Sequence, residues 1–217
     1  MMSILFSSKN EHEAGVEAYR ILRTNLDFII NKKGIKSILI TSAGPGSEGK
    51  STISLNLSLS LAETEKEVVL VDADLRKPRI HKILKINQKP GLVEILQNKS
   101  DYEALNYRKE QGITALPSGE VTNSSPFIKK FAFRRLLERL EEKYDVVIVD
   151  SPPLIISDSL NIASTVDGVV LVASMGESNK QIFKRGVKML ENVDANLLGV
   201  VANKIPKKDE NYYYSYY

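Results

Sequence analysis

The sequence contains no cysteine and no tryptophan, and only two of its 217 residues are histidine. Without cysteine the chain can form no disulfide framework, and it offers no thiolate for catalysis or metal binding. The two histidines, His12 and His81, are too few for a metal site built on imidazole ligands. Any chemistry must therefore depend on carboxylates, lysines, hydroxyls and the backbone.

Long hydrophobic runs and a strong charge of one sign are also missing. No apolar run approaches the roughly 18 residues that span a bilayer, and Met1–Asn10 lacks the pattern of a signal peptide. We therefore expect a cytoplasmic protein. The net charge is +3 and most basic residues are interspersed with acidic ones, so the charge does not indicate nucleic acid as a partner.

What the chain does contain is a series of short, continuous apolar runs rich in valine, isoleucine and leucine. Such runs are typical of strands buried on both faces, as in a parallel sheet covered by helices. Helical patterns at about 127–142 and 178–192 supply crossovers between them. The sequence thus predicts a doubly wound α/β fold, with a mostly parallel sheet and helices on both faces. The runs are Ser37–Ser42, Val68–Asp72, Ile113–Leu116, Val146–Asp150, Gly168–Val172 and Leu197–Val201.

Two segments lie outside this series of strands. Before the first run, apolar residues spaced as on one helix face predict an amphipathic helix over about 11–31. After the last run, residues 206–217 lack any core-building pattern, and we expect a flexible tail there. The prediction is one domain over 1–205 that includes the helix, and a tail that holds five of the nine tyrosines.

A glycine-rich loop follows the first apolar run. Gly44–Ser51 matches the pattern G-x-x-x-x-G-K-S, with a strand before it and a helix after it, which is the context of a phosphate-binding loop (P-loop). In such loops backbone N–H groups bind phosphate, the lysine neutralises its charge, and the serine hydroxyl is offered to Mg²⁺. The residues predicted to bind nucleotide are Gly44, Gly46, Ser47, Glu48, Gly49, Lys50, Ser51 and Thr52.

Aspartates close two of the apolar runs. Asp72 and Asp150 stand where the carboxyl ends of parallel strands meet ligands, and Asp74 lies on the same side of an extended chain as Asp72. Near a bound triphosphate, one carboxylate can bind the metal ion while another accepts a proton from a hydroxyl. Asp150 fits the carboxylate near the metal. The structural alternative is that Asp72 caps a turn and Asp74 pairs with Arg76.

Together these residues resemble the bacterial tyrosine kinases of capsular and exopolysaccharide synthesis, which have a P-loop NTPase-like fold, over nearly the whole chain. The similarity lies in Thr41–Thr52, Val68–Pro78, Val146–Pro153 and the terminal tyrosines. Glu17–Asn25 is similar to the E-x-x-R-x-x-R motif through which these kinases assemble. One departure is the extra residue Ser47 in a loop that usually reads Pro-Gly-Glu-Gly-Lys.

The resemblance implies ATP and Mg²⁺ as cofactors and assigns a role to each site residue. The catalytic residues would be Lys50, Asp72 and Asp74, with Asp72 activating the hydroxyl of an acceptor tyrosine. The remaining assignments are Ser51, Asp74 and Asp150 for the metal ion, Asn203 for adenine, and Tyr212, Tyr213, Tyr214, Tyr216 and Tyr217 as phosphate acceptors.

The resemblance also implies an assembly. Glu17, Arg20 and Arg23 share a helix face and would contact a neighbour in a ring, octameric in some members; the alternative is an ordinary solvated stripe. Each tail would be phosphorylated in trans by a neighbouring subunit. A membrane-spanning polysaccharide co-polymerase, expected here as a separate partner, would activate the kinase and recruit it to the inner face of the membrane. A cognate tyrosine phosphatase is a further implied partner.

Two other functions stay open from the sequence alone. A partition or positioning ATPase of the ParA/MinD type would share the fold, but such proteins carry an early lysine in the loop, where this chain has Pro45-Gly46-Ser47. A scaffold that assembles around ATP without catalysis is the third possibility. Formation of phosphotyrosine in the tail distinguishes the kinase from both.

Overall fold

The computed structural model describes residues 9–45, 47–100, 112–120, 128–176 and 178–205. Helices and strands alternate along this part of the chain, except that two short helices, α3 and α4, follow each other between β2 and β3. Their bounds are α1 Lys9–Lys33, β1 Ser37–Ser42, α2 Lys50–Ala62, β2 Val68–Asp72, α3 Ile80–Leu84, α4 Leu92–Leu96, β3 Ile113–Leu116, α5 Lys130–Lys143, β4 Val146–Asp150, α6 Ser157–Ala163, β5 Gly168–Ser174, α7 Lys180–Glu191 and β6 Leu197–Asn203.

The strands form one sheet in the order β3-β2-β4-β1-β5-β6, and all of its neighbouring strands pair in parallel. The chain begins near the centre at β1, moves to one edge through β2 and β3, and returns through β4 to build the other edge. The predicted doubly wound α/β fold is confirmed. Strands β5 and β6 continue two residues beyond the predicted runs, to Ser174 and Asn203.

Both faces of the sheet are covered, which explains why the strand sequences are continuously apolar. Strand β1 shows the alternation of side chains: Ile38 and Ile40 pack with α1, α2 and α3, whereas Leu39 packs on the opposite face with α4 to α7. Every residue of β1, β2 and β4 is buried. These three strands therefore form a rigid base for the loops at their carboxyl ends.

The N-terminal helix α1 extends beyond the predicted 11–31 at both ends and packs against α2. Leu26 and Ile30 are buried in this contact. The Arg23 guanidinium adds a polar contact by donating to the Ser60 carbonyl of α2, and Lys66, in the segment after α2, pairs with Asp27 of α1. None of the helices in the described ranges combines the length and apolar character needed to cross a membrane.

Candidate active site

The glycine-rich loop joins the end of β1 to the start of α2. Helix α2 begins at Lys50, and the residue before it, Gly49, has φ = +92°, a conformation that glycine adopts without steric cost. The first N–H groups of a helix have no partner within it, so the start of α2 can bind an anion at the loop. Of the residues predicted to bind nucleotide, Gly46 lies outside the described residues.

The loop is fixed to the edge strand β6. Asn203, the last residue of β6, donates from Nδ2 to the Glu48 carbonyl at 2.7 Å. A Cβ atom at Gly49 would lie 2.3 Å from this Nδ2, so the contact requires glycine at that position. In this structure the Asn203 amide holds the loop, and its contact with adenine stays a prediction.

Lys50 and Glu48 form an ion pair within the loop. Lys50 Nζ lies 3.8 Å from Glu48 Oε2, and the two side chains are only 10% and 7% exposed. Glu48 Oε2 has no hydrogen-bond partner. The sequence predicts Glu48 only as one member of a phosphate-binding loop, and gives no sign that its carboxylate is buried beside the phosphate-binding lysine.

Asp150 lies at the centre of the site. It closes β4, stands opposite Asp72 in the sheet register, and is fully buried. Ser54 Oγ donates to Asp150 Oδ1 at 3.1 Å, whereas Oδ2 has no partner. Burial raises the pKa of Asp150 to about 6, although the hydroxyls of Ser51 and Ser54 act to lower it. An unpartnered buried oxygen of this kind is available to a cation.

Asp72 holds the segment that precedes α3. Its Oδ2 accepts from the backbone N–H groups of Arg79 and Ile80, each at 3.1 Å, and its Oδ1 accepts from Asp74 N–H at 3.3 Å. Burial first, and the neighbouring Asp150 second, hold the pKa of Asp72 well above its usual range. Asp72 therefore does cap a turn, as the structural alternative proposes, while lying beside the other two aspartates.

Asp74 is the accessible carboxylate of the three. It is half-buried and lines an open cavity of about 260 Å³ together with Lys50 and Ser51. Its Oδ1 accepts from the backbone N–H groups of Arg76 at 3.2 Å and Lys77 at 3.0 Å. The pairing of Asp74 with Arg76 thus exists, but it is made to the backbone of Arg76.

These residues fit a magnesium ion that is shared with a nucleotide. Within the described ranges, no group of three His, Asp or Glu side chains converges to hold a metal ion alone. Mg²⁺ keeps several waters and binds through one or two carboxylates together with substrate phosphates. The free Oδ2 of Asp150 and the nearby Ser51 hydroxyl supply such a partial set of ligands.

The residues predicted to contact a neighbouring subunit are divided between the surface and the helix packing. Glu17 and Arg20 are 55% and 53% exposed and face each other at 3.6 Å. Arg23 Nη1 instead donates to the Ser60 carbonyl at 2.7 Å and to Glu63 Oε2 at 2.8 Å. The contact between subunits stays a prediction. The tail tyrosines lie outside the described residues.

Comparison with known proteins places this geometry in a family. Residues 34–208 match the family described as ParA, NUBPL iron-transfer P-loop NTPase. The chain is 36% identical to the tyrosine-protein kinase YwqD of Bacillus subtilis over 203 residues, which is 91% of this chain and 85% of that protein. It is 31% identical to the tyrosine-protein kinase etk of Escherichia coli over 94% of this chain, but covers 28% of that longer protein.

A solved structure gives the same result. The crystal structure of the chimerical protein CapA2B2 is similar with a TM-score of 0.81 and 34% identity, over 88% of this chain and 85% of that chain. The resemblance drawn from the sequence motifs is confirmed. The chain is a P-loop NTPase, and within that fold it belongs to the family of bacterial tyrosine-protein kinases.

Proposed function

We propose that this chain is an ATP-dependent kinase of capsular or exopolysaccharide synthesis that phosphorylates tyrosine hydroxyls, including those of its own C-terminal tail. The observation that carries the proposal is the meeting of Lys50, Ser51 and Asp74 at one open cavity. Asp72 and Asp150 are buried beside them. A lysine, a hydroxyl and carboxylates around a phosphate-binding loop are the groups that phosphoryl transfer requires.

The nucleotide would bind with its phosphates in the loop. The backbone N–H groups at the start of α2 and the ammonium group of Lys50 would bind the β- and γ-phosphates. Lys50 also lies 3.8 Å from Glu48, so the phosphates would compete with this carboxylate for its ammonium group. Asn203 keeps the loop attached to β6, which limits the distance over which the loop can move.

Ser51, Asp74 and Asp150 are the residues that would hold Mg²⁺. When bound, the ion would neutralise the charge that develops on the transferred phosphoryl group. Asp72 would orient or deprotonate the acceptor hydroxyl. Its Oδ2 accepts from the N–H groups of Arg79 and Ile80, which would keep the carboxylate in a fixed orientation at the site.

An assembly of several subunits would bring each tail to a neighbouring active site. Helix α1 offers the exposed side chains of Glu17, Arg20, Ile21 and Phe28 for such a contact. We further propose a membrane-spanning co-polymerase as activator, which would hold the kinase at the inner face of the membrane. A cognate tyrosine phosphatase would reverse the modification.

The proposal is tested by incubating the pure protein with Mg²⁺ and ATP and locating phosphate by mass spectrometry. Phosphotyrosine within residues 212–217, absent in a Lys50→Met variant, is the expected result. Release of free phosphate without modified tyrosine would instead favour a nucleotide-switched ATPase, the second candidate, which the family match over residues 34–208 supports. A parallel reaction with the cytoplasmic segment of the activator controls for a kinase that is inactive alone.

A further inference from the structure

The cavity beside Lys50 has a basic side. Arg76, Lys77 and Arg79 line it, and all three are exposed. We call these three residues the basic rim. Among the described residues, none of the close ion pairs involves a residue of the rim. The rim therefore presents positive charge at the entrance to the site.

The backbone of the basic rim is fixed to the aspartates of the site. Asp74 Oδ1 accepts from the N–H groups of Arg76 and Lys77, and Asp72 Oδ2 accepts from the N–H group of Arg79. The carboxylates are therefore bonded to the rim's backbone. Lys77 and Arg79 form no ion pair within the described residues, so their charged groups can meet an external anion. The Arg76 guanidinium also acts on Asp158, where it opposes the rise in pKa that burial causes.

Apolar side chains line the same cavity. Ile83, Ile155 and Ile156 contribute to it, and Ile155 is 53% exposed although it is a large apolar residue. An aromatic ring gains favourable burial against such side chains. The cavity thus combines an apolar surface for a ring, the Asp74 carboxylate near its hydroxyl group and cations for a nearby anion.

We propose that the basic rim recognises an anionic group beside the acceptor tyrosine, either a carboxylate or the phosphate of a tyrosine that is already modified. This inference rests on the proposed kinase function. Arg and Lys form strong charge-assisted hydrogen bonds with both anions, and a phosphotyrosine carries about −1.5 to −2 charges near neutral pH.

The C-terminal tail contains both sources of negative charge. Asp209 and Glu210 precede the tyrosine cluster, and the tyrosines themselves stand one or two positions apart. In each transfer the tyrosine oxygen bonds to the terminal phosphorus of ATP, the bond from that phosphorus to ADP breaks, and the hydroxyl proton is released. If phosphate is the recognised group, one transfer increases the efficiency of the next, and the tyrosines are modified in a preferred order.

Three synthetic peptides spanning residues 206–217 test the inference with the full-length kinase and Mg²⁺·ATP. In each, Tyr214 is the single acceptor and the other tyrosines are replaced by phenylalanine. The first is neutral beside the acceptor because Asp209→Asn and Glu210→Gln remove its carboxylates. The second keeps both carboxylates, and the third is the neutral peptide with phosphotyrosine at position 212. We expect kcat/KM to be about tenfold higher for at least one anionic peptide than for the neutral one.

Variants of the kinase assign the preference to the rim. In a Lys77→Gln, Arg79→Gln double variant we expect the ratio of anionic to neutral kcat/KM to fall close to one. A Lys82→Gln, Lys85→Gln double variant loses the same charge from nearby exposed positions that do not line the cavity, and it should keep the wild-type ratio. Dissociation constants of labelled peptides for the Mg²⁺·ADP form should follow the same order without requiring turnover.

Each outcome of these experiments either supports the inference or overturns it, and one outcome would also overturn the proposed function. Equal efficiency and equal affinity for all three peptides would overturn the inference and leave the kinase function intact. An unchanged peptide ratio with a raised KM for ATP in the rim variant would assign these cations to the nucleotide, and would also overturn it. A complete absence of transfer and of peptide binding, with ATP still bound, would overturn the proposed function itself. A preference for only one anionic peptide supports the inference and identifies the recognised group.

Discussion

Glu48 places a buried carboxylate in a loop that binds phosphate, 3.8 Å from the lysine that phosphate must attract. Its Oε2 has no hydrogen-bond partner to offset burial. Negative charge at this position stabilises Lys50 in the nucleotide-free chain and repels the phosphates of an incoming nucleotide. The residue therefore favours the empty loop over the occupied one.

A Glu48→Gln substitution should strengthen ATP binding. Removing one negative charge near the phosphates is worth about 1 to 2 kcal/mol at an effective dielectric constant of about 20, or roughly a five- to thirtyfold lower Kd. The nucleotide-free variant should also unfold at a lower temperature because Lys50 loses its partner. Calorimetric titration measures the first effect and thermal unfolding the second. Glu120→Gln, at an exposed pair with Lys89, is the control, and an unchanged Kd in Glu48→Gln would contradict the interpretation.

Asp150 makes the stability of the nucleotide-free protein depend on pH. Burial raises its pKa to about 6, above the value of about 3.9 expected in the unfolded chain. The folded state therefore holds an extra proton between these values. The stabilising contribution is complete below about pH 4 and is lost as pH rises through about 6, with a total of about 3 kcal/mol. The raised pKa of Asp72 acts in the same direction.

An Asp150→Asn variant should lose the part of this pH dependence that Asp150 contributes, whereas the part that the burial of Asp72 causes should remain. We expect it to be more stable than the wild type at pH 7 by about 2 kcal/mol, and close to it at pH 4. Urea unfolding at several pH values, without nucleotide and with a chelator present, measures the difference between the two proteins. Asp194→Asn, at an exposed position, is the control, and its free energy of unfolding should change with pH as that of the wild type does. If the free energy of unfolding changed equally with pH in the wild type and in Asp150→Asn, burial would not control the pKa of this carboxyl group.

At the scale of elements, the Glu17–Arg23 motif of helix α1 is divided between helix packing and the exposed surface. Arg23 lies on the side of α1 that meets α2, where its side chain is 17% exposed, whereas Arg20 is 53% exposed. The spacing of the two arginines is three residues, so sequence predicts a shared face. It does not predict that the partner of Arg23 is Glu63, forty positions further along the chain.

The two arginines should therefore respond differently to substitution. Arg23→Ala removes charge-assisted hydrogen bonds to Ser60 and Glu63 and should lower the free energy of unfolding by about 1 to 2 kcal/mol. Arg20→Ala should change it by less than about 0.5 kcal/mol and should lower the mass of the assembly in solution. Chemical unfolding and light scattering separate the two effects. Equal loss of stability in both variants would argue against this division.

The strands were predictable because a strand that is buried on both faces consists of a continuous run of apolar residues, as in Val68–Asp72 and Val146–Asp150. The start of α2 was predictable because the pattern G-x-x-x-x-G-K-S places a helix at its lysine, and the structure adds that Gly49 has a positive φ before Lys50. The positions of the short helices α3 and α4 were not predictable. Ile80 is placed by a bond to the Asp72 side chain eight positions earlier, and Leu92 by a bond to the Pro117 carbonyl of the segment after β3. The burial of Glu48 could not be predicted from the sequence either, because it depends on how the loop folds onto β6.

At the scale of the whole molecule, the same fold must serve as kinase and as substrate. The last strand ends at Asn203, which is bonded to the phosphate-binding loop, and the tyrosine cluster begins only nine positions later. Transfer within one chain and transfer between chains are therefore both conceivable from chain length alone. An assembly through α1 favours transfer between chains, because it brings one chain's tail close to another chain's site.

Mixing two defective chains distinguishes these routes. A chain ending at residue 205 keeps the loop, the three aspartates and Asn203 but has no acceptor tyrosines, whereas a full-length Lys50→Met chain keeps the tyrosines but cannot hold the phosphates. With Mg²⁺ and ATP, each alone should yield no phosphotyrosine, and the mixture should modify the Lys50→Met chain. Adding Glu17→Ala and Arg20→Ala to both chains should slow this transfer several-fold if α1 joins them. Full modification of wild-type chains at a rate independent of protein concentration, with no transfer in the mixture, would instead place each tail in its own active site.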